Sequence, residues 1–304
     1  RWVLLRLSQL QGDSFTERAG LLAQWLIAAK VGGAERIFID DVYHDRHGLL
    51  HDDGSPRELF VPWRTTALAL QGAEYMGRFI FPNGSPNAVF AKQGEAVVVI
   101  WNESPTEERL YLGVDPQESD VWGRMAPLPS DPSTGESSVQ VGRIPKLLLR
   151  CSEPIARWRI AAQYESRQMR SEYGGHTDNV LIKNTFPQGV SGELTLVLPH
   201  EWEAEPRAWT FAAEAGETLR LPTFLRLPPN AHLGQQMTKW DFNISADRPY
   251  SFRLYRPYVV GLDDIAIEIF DRKLPDGRLE IEQVVTNRRD PVEKLDFRCS
   301  LFVP

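Results

Sequence analysis

The sequence predicts a multidomain, mainly β protein in which two βα units precede a small β domain and antiparallel β-sandwiches. Three observations carry this reading. The chain has 304 residues, about twice a common domain, with 42% apolar and 25% charged residues, the composition of a folded chain. Hydrophobic spacing is helical through the first eighty residues and alternating from about residue 85 onward. Gly and Pro, 22 each, then punctuate short apolar runs at the intervals of strands and turns.

Residues 3–7 form the first strand candidate. Ser14-Phe15-Thr16-Glu17 has the spacing of a capping box, in which Ser14 and Glu17 satisfy each other's free amides at a helix start. Leu21, Leu22, Trp25, Leu26 and Ala29 recur at helical spacing until Gly32-Gly33 stops the helix. Residues 36–40 read as a second buried strand, giving a β-α-β unit with parallel strands and a right-handed crossover. Pro62 suits the first turn of a second helix that reaches about residue 75. Two repeats cannot close a barrel, so residues 1–84 are predicted to be an incomplete α/β layer.

Residues 85–153 read as a small β-sandwich domain. Its strand candidates are 88–91, 95–101, 109–112, 121–125, 138–141 and 147–151, with Asn102-Glu103-Ser104-Pro105 as a turn. Residues 154–262 carry strands at 180–183, 193–198, 218–221, 235–245 and 251–259, whose regular spacing predicts an immunoglobulin-like β-sandwich. Residues 263–304 begin a further one, with strands at 265–270, 279–287 and 294–303 and a turn at Pro275-Asp276-Gly277. Three strands fall short of the roughly seven of a full sandwich. The chain is therefore expected to be cut from a longer protein at both ends.

Thirty-four basic side chains face 41 acidic ones, a net charge of −7, which excludes the electrostatic footprint of a nucleic-acid binder. Arg288-Arg289 is flanked by Asp290 and Glu293 and reads as solvated surface. No apolar run approaches the roughly 18 residues that cross a bilayer. Cys151 and Cys299 lie far apart without ligand spacing and read as buried or free thiols, with a long-range disulfide left open. Phosphate-cradling loops, zinc fingers and nucleophile elbows are absent, and no cofactor is expected.

The loop at 40–53 gathers Asp40, Asp41, His44, Asp45, His47, His51, Asp52 and Asp53. Carboxylates and imidazoles are metal ligands, but a polar loop is rich in them anyway, and no metal is expected. Asp40 and Asp41 are the candidate catalytic pair, weighed against anchoring of the loop to backbone amides. Asp13 is a weaker stand-in, since an acidic residue beside a helix start is favoured for electrostatic reasons alone. Among nine tryptophans, Trp122, Trp209 and Trp240 are the candidate sugar-stacking platforms, while Trp101 and Trp202 read as core.

Two stretches resemble known families. The first runs through Gly33-Ala34-Glu35-Arg36-Ile37-Phe38-Ile39-Asp40-Asp41, Gly48-Leu49-Leu50-His51-Asp52-Asp53-Gly54-Ser55-Pro56 and Leu70-Gln71-Gly72-Ala73-Glu74-Tyr75. It resembles the end of a glycoside-hydrolase (β/α)8 barrel of the clan that includes the family 39 xylosidases and iduronidases. The resemblance makes 3–7 the seventh strand and 36–40 the eighth, with a small β domain beside the barrel. It also implies a nucleophilic Glu at the end of the seventh strand, where this chain reads Arg6-Leu7-Ser8-Gln9-Leu10-Gln11, and an acid/base Glu on a fourth strand that this chain does not contain. The second stretch runs through Leu194-Thr195-Leu196-Val197-Leu198-Pro199-His200-Glu201-Trp202, Phe211-Ala212-Ala213-Glu214-Ala215-Gly216-Glu217 and Leu227-Pro228-Pro229-Asn230-Ala231-His232-Leu233-Gly234. It is similar to the sandwich modules of bacterial α-galactosidases, the NPCBM-associated domains, which are usually non-catalytic.

With both family carboxylates missing, the expected function is a non-catalytic, structural and glycan-binding region of a larger carbohydrate-active-enzyme-like bacterial protein, secreted or at the cell surface. Its expected partners are a polysaccharide or glycan and the rest of the barrel. The alternative is the C-terminal part of an active glycoside hydrolase that uses Asp40 or Asp41. A protein-binding adhesion module is the third class.

Overall fold

The computed structural model describes residues 1–12, 14–166, 168–169, 175–228, 231, 233–261 and 265–287. Asp13, the Arg288-Arg289 pair, Cys299 and the strand expected at 294–303 lie outside the described residues. The fold is mainly β, with several separate sheets, and no closed barrel occurs among the described residues.

Strands β1 (Trp2–Leu5) and β2 (Arg36–Ile39) pair in parallel, Leu5 opposite Ile39, with helix α1 (Phe15–Val31) as the crossover. The capping box forms: the Glu17 amide donates to Ser14 Oγ at 3.1 Å, and the Ser14 amide to the Glu17 carboxylate at 3.3 Å. Leu22 and Leu26 of α1 pack with Leu5, Leu7 and Leu59 into one core. The opposite face of the strand pair is open: Trp2 is 69% exposed, Leu4 55% and Phe38 44%. Helix α2 (Phe60–Leu70) packs beside α1 but does not reach residue 75. Gly72, at φ +70°, reverses the chain at no steric cost, and Glu74–Gly77 is strand β3.

Strands β4 (Asn87–Lys92), β5 (Glu95–Ile100), β6 (Thr106–Leu110), β7 (Gln117–Ser119), β8 (Met125–Pro127), β9 (Ser137–Val141) and β10 (Lys146–Ser152) follow. Six strands form one sheet in the order β3-β4-β5-β10-β7-β8, while β6 pairs with β9. Val89, Val98, Ile100 and Leu148 face the β6–β9 pair across one core. Ala88, Phe90, Val97 and Val99 pack with Ile27 of α1 and Leu70 of α2 in another. Burial of both faces is why residues 96–100 read as an unbroken apolar run rather than an alternation. The strand expected at 121–125 is instead the turn between β7 and β8. Asp120 Oδ1 accepts the amides of Trp122 and Arg124, both at 3.0 Å, and Gly123 sits at φ +84°. Val121, at the tip, is fully buried in the α1 core.

Helix α3 (Glu153–Ala161), which the alternating pattern around it conceals, joins the two β regions. Ala156 packs into the core behind the six-stranded sheet, and Ile155 and Trp158 into the next one. The buried Arg159 donates to Arg253 O at 2.6 Å and Tyr111 O at 3.2 Å. Strands β11 (Gln163–Tyr164), β12 (Gln168–Met169), β13 (His176–Lys183), β14 (Val190–Val197), β15 (Glu203–Glu205), β16 (Ala208–Ala213), β17 (Thr218–Arg226), β18 (Gly234–Ser245) and β19 (Pro249–Val260) complete two sheets, β11-β13-β17-β15 and β12-β19-β18-β14-β16. Their inner faces share a core that includes Val180, Leu194, Phe242 and Leu254. The chain enters on one sheet at β11 and crosses to the other at β12, which runs parallel to β19. Strands β20 (Ile265–Lys273) and β21 (Leu279–Asn287) form a hairpin whose reversal holds the expected Pro275-Asp276-Gly277, with Gly277 at φ +86°.

Candidate functional site

A groove of about 950 Å³ lies where α1 meets the small β region. Its volume lies within the range of ligand sites. One wall is the first half of α1, presenting Thr16, Glu17, Gly20, Leu21 and Gln24. The other is built from the 120–124 turn and the segment 142–146 that leads into β10. The walls are joined where Gln24 Nε2 donates to Arg143 O at 3.0 Å, and where Ile144 packs on the α1 core. Gly20 lies at this contact, where a Cβ would meet the Ile144 Cα at 3.6 Å, an ordinary van der Waals distance.

Trp122 lines this groove, half-buried, with the Arg124 guanidinium carbon 5.6 Å from its ring centre. The charges around it are paired. Arg124 Nε meets Asp120 Oδ2 at 2.6 Å, Lys146 Nζ meets Glu118 Oε2 at 2.8 Å, and Arg143 Nε lies 3.5 Å from Glu103 Oε2. Asp120 is held in place by the two amides of its own turn as well as by Arg124. The result is an aromatic surface beside charged and hydrogen-bonding groups, of which Asp120 is fixed by its own turn, a combination that can hold a polyhydroxyl ligand.

The other sequence-nominated residues fall elsewhere. Asp40 and Asp41 follow β2, away from the groove lining. Asp40 Oδ1 accepts the Leu7 amide at 3.2 Å and so ties the end of β1 to the end of β2. Asp41 takes φ +42° at the entry to the loop. That loop closes tightly: a Cβ on Gly48 would sit 2.4 Å from Val42 O, so only glycine fits there. His44 Nδ1 accepts the amides of Arg46 and His47, at 3.1 and 3.3 Å, and its ring stacks on His47. Asp53 takes the Ser55 hydroxyl and amide at 2.6 and 2.9 Å, which holds its carboxyl below the usual range. Among the described residues no group of three or more His, Cys, Asp or Glu is placed to hold a metal ion.

Of the three candidate sugar platforms, only Trp122 lines the groove. Trp240, read from sequence as exposed, is fully buried, because Thr238, Trp240, Phe242 and Ile244 share the inner face of β18. Trp209 lies half-buried against the sandwich core, its indole nitrogen enclosed. Trp202 belongs to the core between the four- and five-stranded sheets, and Trp101 packs, partly buried, against the separate core of Phe90, Val97 and Val99. Cys151 is buried, and desolvation pushes its thiol up to about 12, so it is a packing residue rather than a nucleophile. Sequence reasoning missed Asp120 and Arg124. The Asp-x-x-Gly spacing of Asp120 and Gly123 is a turn signal, but nothing local announces that Gln24 and Arg143 meet.

No family model matches the chain, and no curated protein matches it. Among solved structures, a GH2 beta-galacturonidase from Eisenbergiella tayi bound to galacturonate is 9% identical, with a TM-score of 0.20, over 66% of this chain and 44% of that one. The same kind of enzyme from that organism bound to glycerol is 9% identical, with a TM-score of 0.20, over 69% and 45%. The chain thus spans less than half the length of either structure, and likeness at this level carries no argument about site or activity.

Proposed function

We propose that this chain is a structural and glycan-binding region of a larger carbohydrate-active protein, and that the groove at Trp122 is where the glycan binds. The observation that carries the reading is the placement of Trp122. Of the three candidate platforms it is the one that lines this groove, and it does so beside Asp120, whose carboxylate its own turn holds. The resemblance of residues 33–75 to the end of a hydrolase barrel supports the larger setting. So does the open apolar face of Trp2, Leu4 and Phe38, because a parallel sheet is ordinarily covered on both faces. In this reading the chain divides at 84, 153 and 262, with an immunoglobulin-like sandwich at 154–262, and the protein acts in an exported setting.

The test is calorimetric titration of the whole chain with a panel of oligosaccharides, repeated on Trp122→Ala. Binding by at least one oligosaccharide that weakens about tenfold or more in the variant supports the reading. Thermal melts of both proteins separate lost stacking from lost packing. Equal affinity in the two proteins removes Trp122 from the site.

A further inference from the structure

We infer that β16 pairs edge to edge with β16 of a second copy, joining two sandwiches into one continuous sheet about a twofold axis. β16 is the end strand of the five-stranded sheet and is bonded to β14 on one side only. The Leu196 amide donates to Arg207 O at 2.9 Å, which fixes the alternation of the bonds. Arg207, Trp209, Phe211 and Ala213 bond toward β14, so the N–H and C=O groups of Ala208, Thr210 and Ala212 point to the open side. These last three residues are exposed.

An open edge invites pairing, and proteins ordinarily blunt theirs with short strands, charges or proline. Among the described residues, the other three edges of the sandwich follow that rule. β11 and β12 have two residues each, and β15 is Glu203-Ala204-Glu205 with Pro206 behind it. β16 is Ala208-Trp209-Thr210-Phe211-Ala212-Ala213, with no charge, no proline and no bulge in its pairing with β14.

The strand also complements itself. Antiparallel pairing about an axis at Thr210 sets Thr210 opposite its own copy and Ala208 opposite Ala212, so no like charges face each other. On the inner face it sets Trp209 of one copy opposite Phe211 of the other, an aromatic pair on each side of the axis that carries the sandwich core across the joint. Arg207 of each copy comes beside the end of the other strand, where Glu214 follows, so opposite charges meet at both ends. The contact uses the same patch on both copies and closes on itself. This self-match favours a second copy over an extended peptide from another protein.

Sedimentation equilibrium of the whole chain from about 5 to about 500 µM is expected to show a monomer–dimer equilibrium. Thr210→Lys puts two ammonium groups across the axis, on an exposed side chain away from the core, and is expected to weaken the dimer at least about tenfold. Asn243→Lys adds the same charge to the same outer face on β18, two strands in from the edge, and is expected to leave the dimer within about twofold of the parent. In the parent, the amides of Ala208, Thr210 and Ala212 are expected to exchange with deuterium more slowly at the higher concentration, a readout that needs no variant. A chain that stays monomeric at every concentration overturns the inference, even if the edge takes an extended peptide of another protein. A dimer that Thr210→Lys leaves intact overturns it as well.

Discussion

Trp240 donates its indole N–H to the Tyr164 hydroxyl across 3.1 Å, and the two rings meet edge to face with centroids 4.8 Å apart. Tyr164 Oη in turn lies 3.1 Å from Thr238 Oγ1, whose own hydroxyl donates to Arg256 O at 2.9 Å. Tyr164 arrives from the four-stranded sheet, and Trp240 and Thr238 from the five-stranded one, so this buried chain of hydrogen bonds stitches the two layers. Tyr164→Phe leaves the indole N–H without an acceptor in a dry core and is expected to cost about 1–3 kcal/mol. Trp240→Ala, which also opens a cavity, is expected to cost about 3–5 kcal/mol. Urea unfolding monitored by circular dichroism measures both.

A second prediction concerns Gly192 in the middle of β14. A Cβ there would lie 2.3 Å from Asn243 O and 2.7 Å from Ile244 Cα, both on the backbone of the neighbouring strand. Neither can swing aside as a side chain would. Gly192→Ala is therefore expected to lower stability by about 1–3 kcal/mol or more by forcing β14 and β18 apart. Gly142→Ala, with nothing within 4 Å of its Cβ, is the matched control that should melt close to the parent.

Asp40 separates the structural reading from the enzymatic one. Its carboxylate accepts the Leu7 amide at 3.2 Å, so Asp40→Ala is expected to lower stability by about 1 kcal/mol through loss of that hydrogen bond. On the proposal made above, the parent chain releases aryl-glycoside chromophore no faster than buffer, and the variant behaves the same. Cleavage by the parent that disappears in Asp40→Ala would show that the residue works in catalysis.

Cys151 sets a pH dependence of known sign. Burial raises its thiol from an ordinary 9.0 to about 12 in the folded protein. Below pH 9 the thiol is protonated whether the chain is folded or not, and its contribution to stability is complete. Between pH 9 and 12 the unfolded chain loses the proton first, so that contribution shrinks as pH rises. Tyr164, raised from 10.0 to about 12, acts in the same direction, whereas Arg159, lowered to about 9, opposes it. Comparison with Cys151→Ala isolates the thiol. The stability difference between parent and variant is expected to fall from about pH 8.5 to about pH 11 in paired urea titrations.

Elements whose signals are local were legible in the sequence, and those that depend on distant neighbours were not. The capping box at Ser14 and Glu17, the β-α-β unit and the long strands of the sandwich all announce themselves within a dozen residues. The helix at 153–161 was hidden because its apolar positions serve two cores at once and leave no single stripe. The second helix, expected to reach about residue 75, ends at Leu70, and the spacing of the apolar residues around Gln71-Gly72 does not show the change to β3. The fate of Trp240 was present in the sequence as the two-residue alternation from Thr238 to Ile244, a stronger signal than the chemistry of an indole. The groove was the least legible feature. Its two walls are about a hundred residues apart in sequence and meet through one glutamine and one backbone carbonyl.

The six-stranded sheet, covered on both sides, also decides how the protein can be divided. Phe90, Val97 and Val99 are dry only because Ile27 and Leu70 lie on them, and the tip of the β7–β8 turn is dry only inside the core behind α1. A lineage that exchanged the leading βα units for others would have to supply equivalents of Ile27, Leu70 and the pocket for Val121 in the same step. Residues 1–73 and the sheet that follows therefore share their dry interior, and removing either would open the other's apolar face to water.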